Sequence, residues 1–173
     1  FQAGDFKQSP KPSITVRSTE IELGIENFML SLGTMLGVID SDPKFSLMPP
    51  FVRYLSEVAF IQIGDASITG IPGELYPEIA VGGIENPIGA DYVIAPQEVP
   101  HLRSQFSDKL NLMVNLANDS IGYIIPKSEW DEDAPWIYGE KEETYGEVVS
   151  LGPNTAPVIH ENLLELIKES KNK

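Results

Sequence analysis

Cysteine is absent from the 173 residues, which excludes disulfide scaffolds, thiolate metal sites and cysteine nucleophiles together. Basic residues are scarce: 12 Lys and Arg stand against 26 Asp and Glu, for a net charge of −14. Phosphate recognition needs clustered Lys and Arg, so nucleic acid is not an expected partner. Adsorption to anionic lipid by charge is disfavoured for the same reason. Histidine is limited to His101 and His160. No apolar run approaches the roughly 20 residues of a membrane span, so no transmembrane segment is expected. The opening FQAGDFKQSPKP (residues 1–12) lacks the basic start and apolar stretch of a signal peptide. With Pro10 and Pro12 it reads as a linker or a cut end.

What is present suits one α/β or α+β domain, or part of a larger one, with a mixed β-sheet and flanking helices. Hydrophobic residues make up 42% of the chain, enough for a real core. Ile14 and Val16, then Ile21 and Leu23, alternate through Ser13–Leu23 and predict one or two strands. Ile25, Phe28, Met29, Leu32, Met35 and Leu36 fall on one face of an amphipathic helix, loosened by Gly33 and Gly37. Asp40 to Pro50 reads as a loop. The run Val58–Ile63, then Gly64-Asp65, then Ala66–Ile71 predicts a β-hairpin. Both faces of that hairpin are apolar, which places it inside a covered sheet. Glu74–Val81 reads as a short helix, Gly82–Ser107 as a long Pro- and Gly-rich loop, and Leu110–Leu116 and Ile121–Ile125 as strands.

Within the long excursion Ser128–Glu147, the acidic segment Glu129–Glu143 lacks the alternating acids and central glycine of a calcium loop and reads as a solvated, mobile loop. Its Trp130, Trp136 and Tyr138 suit anchors to the body better than a lid. Ile159, Leu163, Leu166 and Ile167 mark a C-terminal helix, with Thr155 as its cap, Pro157 in its first turn and Lys168, Lys171 and Lys173 at its negative end. His101 in the long loop and His160 in that helix read as surface or packing histidines.

Three strings at the borders of these elements suggest chemistry, since strand ends are where open α/β sheets bind ligands: Ile71-Pro72-Gly73-Glu74, Asn118-Asp119-Ser120-Ile121-Gly122-Tyr123, and Ser150-Leu151-Gly152-Pro153-Asn154-Thr155. Singly, each is an ordinary turn: Pro-Gly bends the chain, a glutamate suits a first helical turn, and Asn-Asp closes a strand.

In this order, and with Tyr145 and Glu147 between the last two, they resemble the neutral (non-lysosomal) ceramidases over about Ser56 to Ile167. The resemblance implies that residues 13–173 are the C-terminal part of a catalytic domain. It implies Glu74 and Tyr123 as ligands of zinc, the cofactor of the complete protein. It also places the zinc-binding histidines and the nucleophilic serine in an upstream half, which becomes the expected partner. The implied substrate is a lipid-like N-acyl compound, and the implied setting is extracytoplasmic (secreted, periplasmic or surface-anchored). Zinc polarises a carbonyl or activates water for amide hydrolysis. A tyrosine beside it either ionises, from an ordinary pKa of about 10, or stays protonated and stabilises the oxyanion. The chain departs from the family where Asn154 replaces a histidine and Ile124-Ile125-Pro126 replaces a Thr-rich segment. Alone, the chain is expected to be catalytically incomplete. The alternative is a non-catalytic surface-interaction domain that keeps this architecture.

Overall fold

The computed structural model describes residue 11 and residues 13–39, 43–107 and 110–171. The expected linker at 1–12 therefore falls, residue 11 apart, outside the described residues, and so does Lys173. The alternating segment forms one strand, β1 (Ile14–Gly24), paired antiparallel along its whole length with β3 (Val52–Ile63). β3 turns at Gly64-Asp65 into β4 (Ala66–Gly70), pairing Ile63 with Ala66 as a tight hairpin requires. β4 pairs parallel with β6 (Leu110–Val114), and β2 (Lys44–Phe45), inside the expected Asp40–Pro50 loop, adds two residues to β3. The result is a mixed sheet in the order β1-β3-β4-β6.

The last helix, α4 (Thr155–Lys171), covers one face of this sheet. Its Ile159, Leu163, Leu166 and Ile167 are buried with Ile21, Leu23, Val58 and Phe60 of β1 and β3, and Phe60 stacks on Phe106 with ring centres 6.1 Å apart. Thr155 does not act as the cap: it is the first helical residue, and its buried hydroxyl has no hydrogen-bond partner.

Among the described residues nothing layers over the opposite face, in contrast to the expectation of a doubly covered hairpin. Strand alternation puts Ile14 and Val16, Ile61 and Ile63, Ile68, Leu110, Leu112 and Val114 on that side. Ile14 is 66% exposed and Leu112 49%. Towards the far end the same face becomes charged, where Glu20 lies opposite Glu57 and where Glu22 receives Arg53 at 3.2 Å and Lys44 at 3.6 Å.

The predicted amphipathic helix is α1 (Phe28–Met35), capped by the Asn27 side chain accepting from Leu30 N. Its orientation differs from the expectation. Thr34 is its buried residue and Leu30 touches the core, whereas Phe28, Met29, Leu32, Met35 and Leu36 face outward. The predicted helix at Glu74–Val81 is shorter, because Glu74–Leu75 form β5 in a parallel pair with β7 (Tyr123–Ile124). Only Pro77–Val81, α2, is helical, with Pro77 at its first turn. No helix among the described residues is long and apolar enough to cross a membrane.

Candidate functional site

Two of the three singled-out strings are bound to each other just beyond the ends of the parallel strands β4 and β6. Ile71 N donates to Val114 O, Ala117 N to Ile71 O, Leu116 N to Gly73 O and Ile121 N to Pro72 O. Glu74 N then donates to Gly122 O at 2.9 Å, which starts the β5/β7 pair.

The glycines explain why the two strings approach so closely. A Cβ on Gly73 would stand 2.5 Å from Gly122 O, and one on Gly122 would collide with the Val149 carbonyl. Gly122 also has φ +86, a region that residues with a Cβ rarely adopt. Asp119 ties the turn to β3, accepting from Tyr54 Oη and Ser56 Oγ, both at 2.9 Å, and from its neighbour Ser120 N at 2.8 Å. Asp119 is thus a turn anchor, as its ordinary reading suggested.

This clamp sets Glu74 directly opposite Tyr123 in the parallel register. Paired residues of a parallel ladder project to the same side of the sheet, so the two residues matched to a metal site lie side by side. Tyr123 is the centre of a row of three rings: Tyr76 and Tyr145 each meet it edge-on, with centres 6.2 Å apart and planes at 78°. Gly146, in the short helix α3 (Tyr145–Val148), allows the row to close, since a Cβ there would come within 2.6 Å of the Tyr76 hydroxyl. Burial, with Glu147 close behind, pushes the Tyr76 phenol up to about 12.

Tyr76 and Tyr145 continue into a cavity of about 560 Å³ whose other walls include Glu78, Glu129, Tyr138 and Glu147. Glu147 is buried and accepts from the Thr144 hydroxyl. Glu129, also buried, accepts from Glu85 N at 2.7 Å. Burial raises both carboxyls above their ordinary range. Sequence reasoning missed Tyr76 and Glu129, because an isolated Tyr or Glu in an irregular segment carries no pattern. Their neighbour Glu147 entered only through the resemblance.

The acidic excursion is half solvated and half built in. Trp130 is 1% exposed, and Asp131 is buried with Oδ2 accepting from Ile137 N. Asp91 N donates to Trp130 O and Asp91 Oδ2 accepts from Glu132 N, so the two long irregular segments clasp each other. Trp130 is therefore an anchor, as read from sequence. Tyr138 is exposed and reaches Glu85 Oε2 at 3.2 Å from a left-handed backbone, φ 56.

The third string lies against the start of α1. Asn154 donates to Glu26 Oε1 at 2.9 Å and accepts from Lys127 Nζ at 2.6 Å. Both histidines pack as expected. His101 Nδ1 lies 3.3 Å from Ser104 N and from Ala80 O, and buried His160 has Nε2 3.0 Å from Pro100 O. Burial lowers the His160 pKa.

A catalytic zinc site generally takes three protein ligands. Among the described residues no group of three His, Cys, Asp or Glu stands close enough to hold a metal. Glu74 and Tyr123 offer one carboxylate and one phenol, an oxygen pair that zinc accepts but that needs further donors.

The sequence matches no family model and no curated protein. Among solved structures, this chain is similar to a neutral ceramidase from Pseudomonas aeruginosa, with a TM-score of 0.40 and 10% identity over 90% of this chain. The chain spans 29% of that structure's length.

Proposed function

We propose that this chain is the C-terminal portion of a ceramidase-like, zinc-dependent amidohydrolase acting on N-acyl lipids outside the cytoplasm, and that it is catalytically incomplete by itself. The observation that carries the reading is the direct pairing of Glu74 with Tyr123 across β5 and β7. In this reading Glu74, Tyr123 and donors from an upstream part of the protein would hold a zinc ion, whose Lewis acidity would supply polarisation of the amide carbonyl or activation of water. The Glu74 carboxylate would supply negative charge, and the Tyr123 phenol would either ligate the ion or donate a hydrogen bond to a developing oxyanion. The row Tyr76–Tyr123–Tyr145 packs around the phenol ring, and the glycine clamp holds the backbones of Glu74 and Tyr123 in register.

The test is zinc content and amide hydrolysis in the complete protein. Glu74→Gln should lose activity by about 10²-fold or more with the fold intact by circular dichroism. Full activity and unchanged zinc in that variant would sink the assignment.

The second reading, a non-catalytic interaction domain of the same architecture, is favoured by the bare apolar sheet face. Exposed apolar patches of this kind mark interaction surfaces. The complete protein would then hold no stoichiometric zinc and hydrolyse no N-acyl lipid.

A further inference from the structure

An apolar row crosses the uncovered face of the sheet. Val16 lies beside Ile61, Ile61 beside Ile68 and Ile68 beside Leu112, so the row spans β1, β3, β4 and β6. Ile14 pairs with Ile63 in the next row towards the hairpin. Val16 is 65% exposed and Ile63 40%. In the other direction the face ends on carboxylates, where Glu20 stands opposite Glu57 and both are exposed. Like charges directly opposite each other destabilise a strand pair. Asn118 Nδ2 donates to Glu57 Oε1 at 3.2 Å. Among the described residues Glu20 has no hydrogen-bond or ion-pair partner. Farther on, Arg53 and Lys44 both pair with Glu22.

The size and charge of this face narrow what can cover it. Strands about 4.8 Å apart make the row roughly 14 Å wide, and Ile14 to Glu20 runs about 20 Å. That is the footprint of one α-helix, about 10 Å across and about 21 Å long over some 14 residues. The same sheet already carries one helix, α4, on its other face. A second copy of the face would cover only roughly 300–400 Å² on each side, against the about 800 Å² per partner of a stable interface. It would also bring its own carboxylates onto a chain of net charge −14. A cationic helix meets both demands.

We propose that this face docks a basic amphipathic helix of a partner protein, with its apolar stripe across Val16, Ile61, Ile68 and Leu112 and a Lys or Arg on Glu20 and Glu57. Apolar burial supplies the affinity, as in other helix-in-groove complexes. The carboxylates set the orientation and the sign of charge accepted. The face needs no metal and no hydrolysis, so it stands or falls apart from the Glu74–Tyr123 pairing, and it gives the interaction-domain reading its occupant.

The experiment titrates the 173-residue chain in about 0.15 M salt, where attraction between exposed charges is screened beyond roughly 8 Å. The probes are a synthetic peptide of about 14 residues with Leu and Lys at helical spacing and its Leu–Glu counterpart. Calorimetry should show one saturable site for the Leu–Lys peptide, and the Leu–Glu peptide should bind at least about tenfold more weakly. Leu112→Lys, with its circular dichroism unchanged, should weaken the Leu–Lys peptide more than about tenfold by setting a charge within the apolar row. Glu20→Gln with Glu57→Gln should weaken it about fivefold, the scale of two exposed ion pairs. Glu161→Gln with Glu165→Gln removes the same charge from the exposed side of α4 and should change the affinity less than about twofold. Sedimentation of the chain alone should show no dimer that depends on this face. No saturable binding, equal affinity for the acidic peptide, equal weakening by the two pairs of Gln substitutions, or a dimer that Leu112→Lys dissolves would each overturn the proposal.

Discussion

On the inner face of the sheet Ile21, Leu23, Val58 and Phe60 lie under α4, each 3% exposed or less, whereas on the outer face Ile14, Val16, Leu110 and Leu112 are each 49% exposed or more. The side chains are of the same kind and are carried by strands of the same sheet. The difference is the helix. Ile159, Leu163, Leu166 and Ile167 recur on one stripe of α4 and give the inner face something to pack on, while the described residues provide no such layer for the outer one. Strand alternation creates two faces, but burial requires a second element, and apolar content alone does not say which face receives it.

The largest test of this contrast is truncation on each face. Phe60→Ala should destabilise the chain by about 3–5 kcal/mol, because it leaves a cavity against α4 and Phe106. The outward-facing Leu112→Lys should change stability by no more than about 0.5 kcal/mol, while reducing binding of an apolar dye. Urea denaturation of both variants checks the first point, and dye fluorescence at zero urea the second. Equal losses for the two substitutions would mean that the outer face is also packed.

A second contrast lies between glycines. Gly122→Ala combines positive φ with a collision against Val149 O, and should cost more than Gly64→Ala, where φ is +56 with open space around it. The Gly64 change should cost about 1–2 kcal/mol, the strain of a left-handed backbone alone. If Gly122→Ala costs no more than that, the close approach of the two strings is not needed to hold Glu74 beside Tyr123. Next in size, Asp119→Ala should cost about 1–3 kcal/mol by leaving the buried Ser56 hydroxyl and Tyr54 without their acceptor.

The smallest effect is one of pH. The buried carboxyls Glu129, Asp131 and Glu147 have raised pKa values in the folded chain. Above about pH 4 the folded state therefore holds protons that the unfolded state has released, and stability falls as pH rises through that window until the folded groups ionise. The lowered pKa of His160 works in the opposite sense, removing stability as pH drops below 6.5. Glu147→Gln should flatten the acid-side slope in urea titrations between pH 4 and neutrality. An unchanged slope would assign it to the other carboxyls.

Much of the fold was legible locally. The Gly64-Asp65 hairpin, the alternation of β1 and the 3.6-residue stripe of α4 are patterns within single segments, and each formed as read. Trp130 as an anchor and the packing roles of both histidines followed from residue type and setting. The misread elements depend on distant partners. Glu74 looked like a first-turn helical residue, yet Gly122, far along the chain, accepts its amide hydrogen and draws it into a strand. The outward apolar face of α1 looked like a core face because period alone cannot say where the core lies.

The sequence by itself determined the hairpin at Gly64-Asp65, the alternation of β1, the stripe of α4, the mixed α/β character, the strong negative charge and the exclusion of thiol chemistry, all properties of local spacing and composition. Only the tertiary structure decided that Glu74 stands beside Tyr123, that Tyr76 and Glu147 close behind them, that Asn154 is held by Glu26 and Lys127, and that the described residues leave one sheet face uncovered. Those outcomes rest on contacts between residues far apart in the chain, where hydrogen-bond registry and close packing choose among arrangements that local propensity leaves equal.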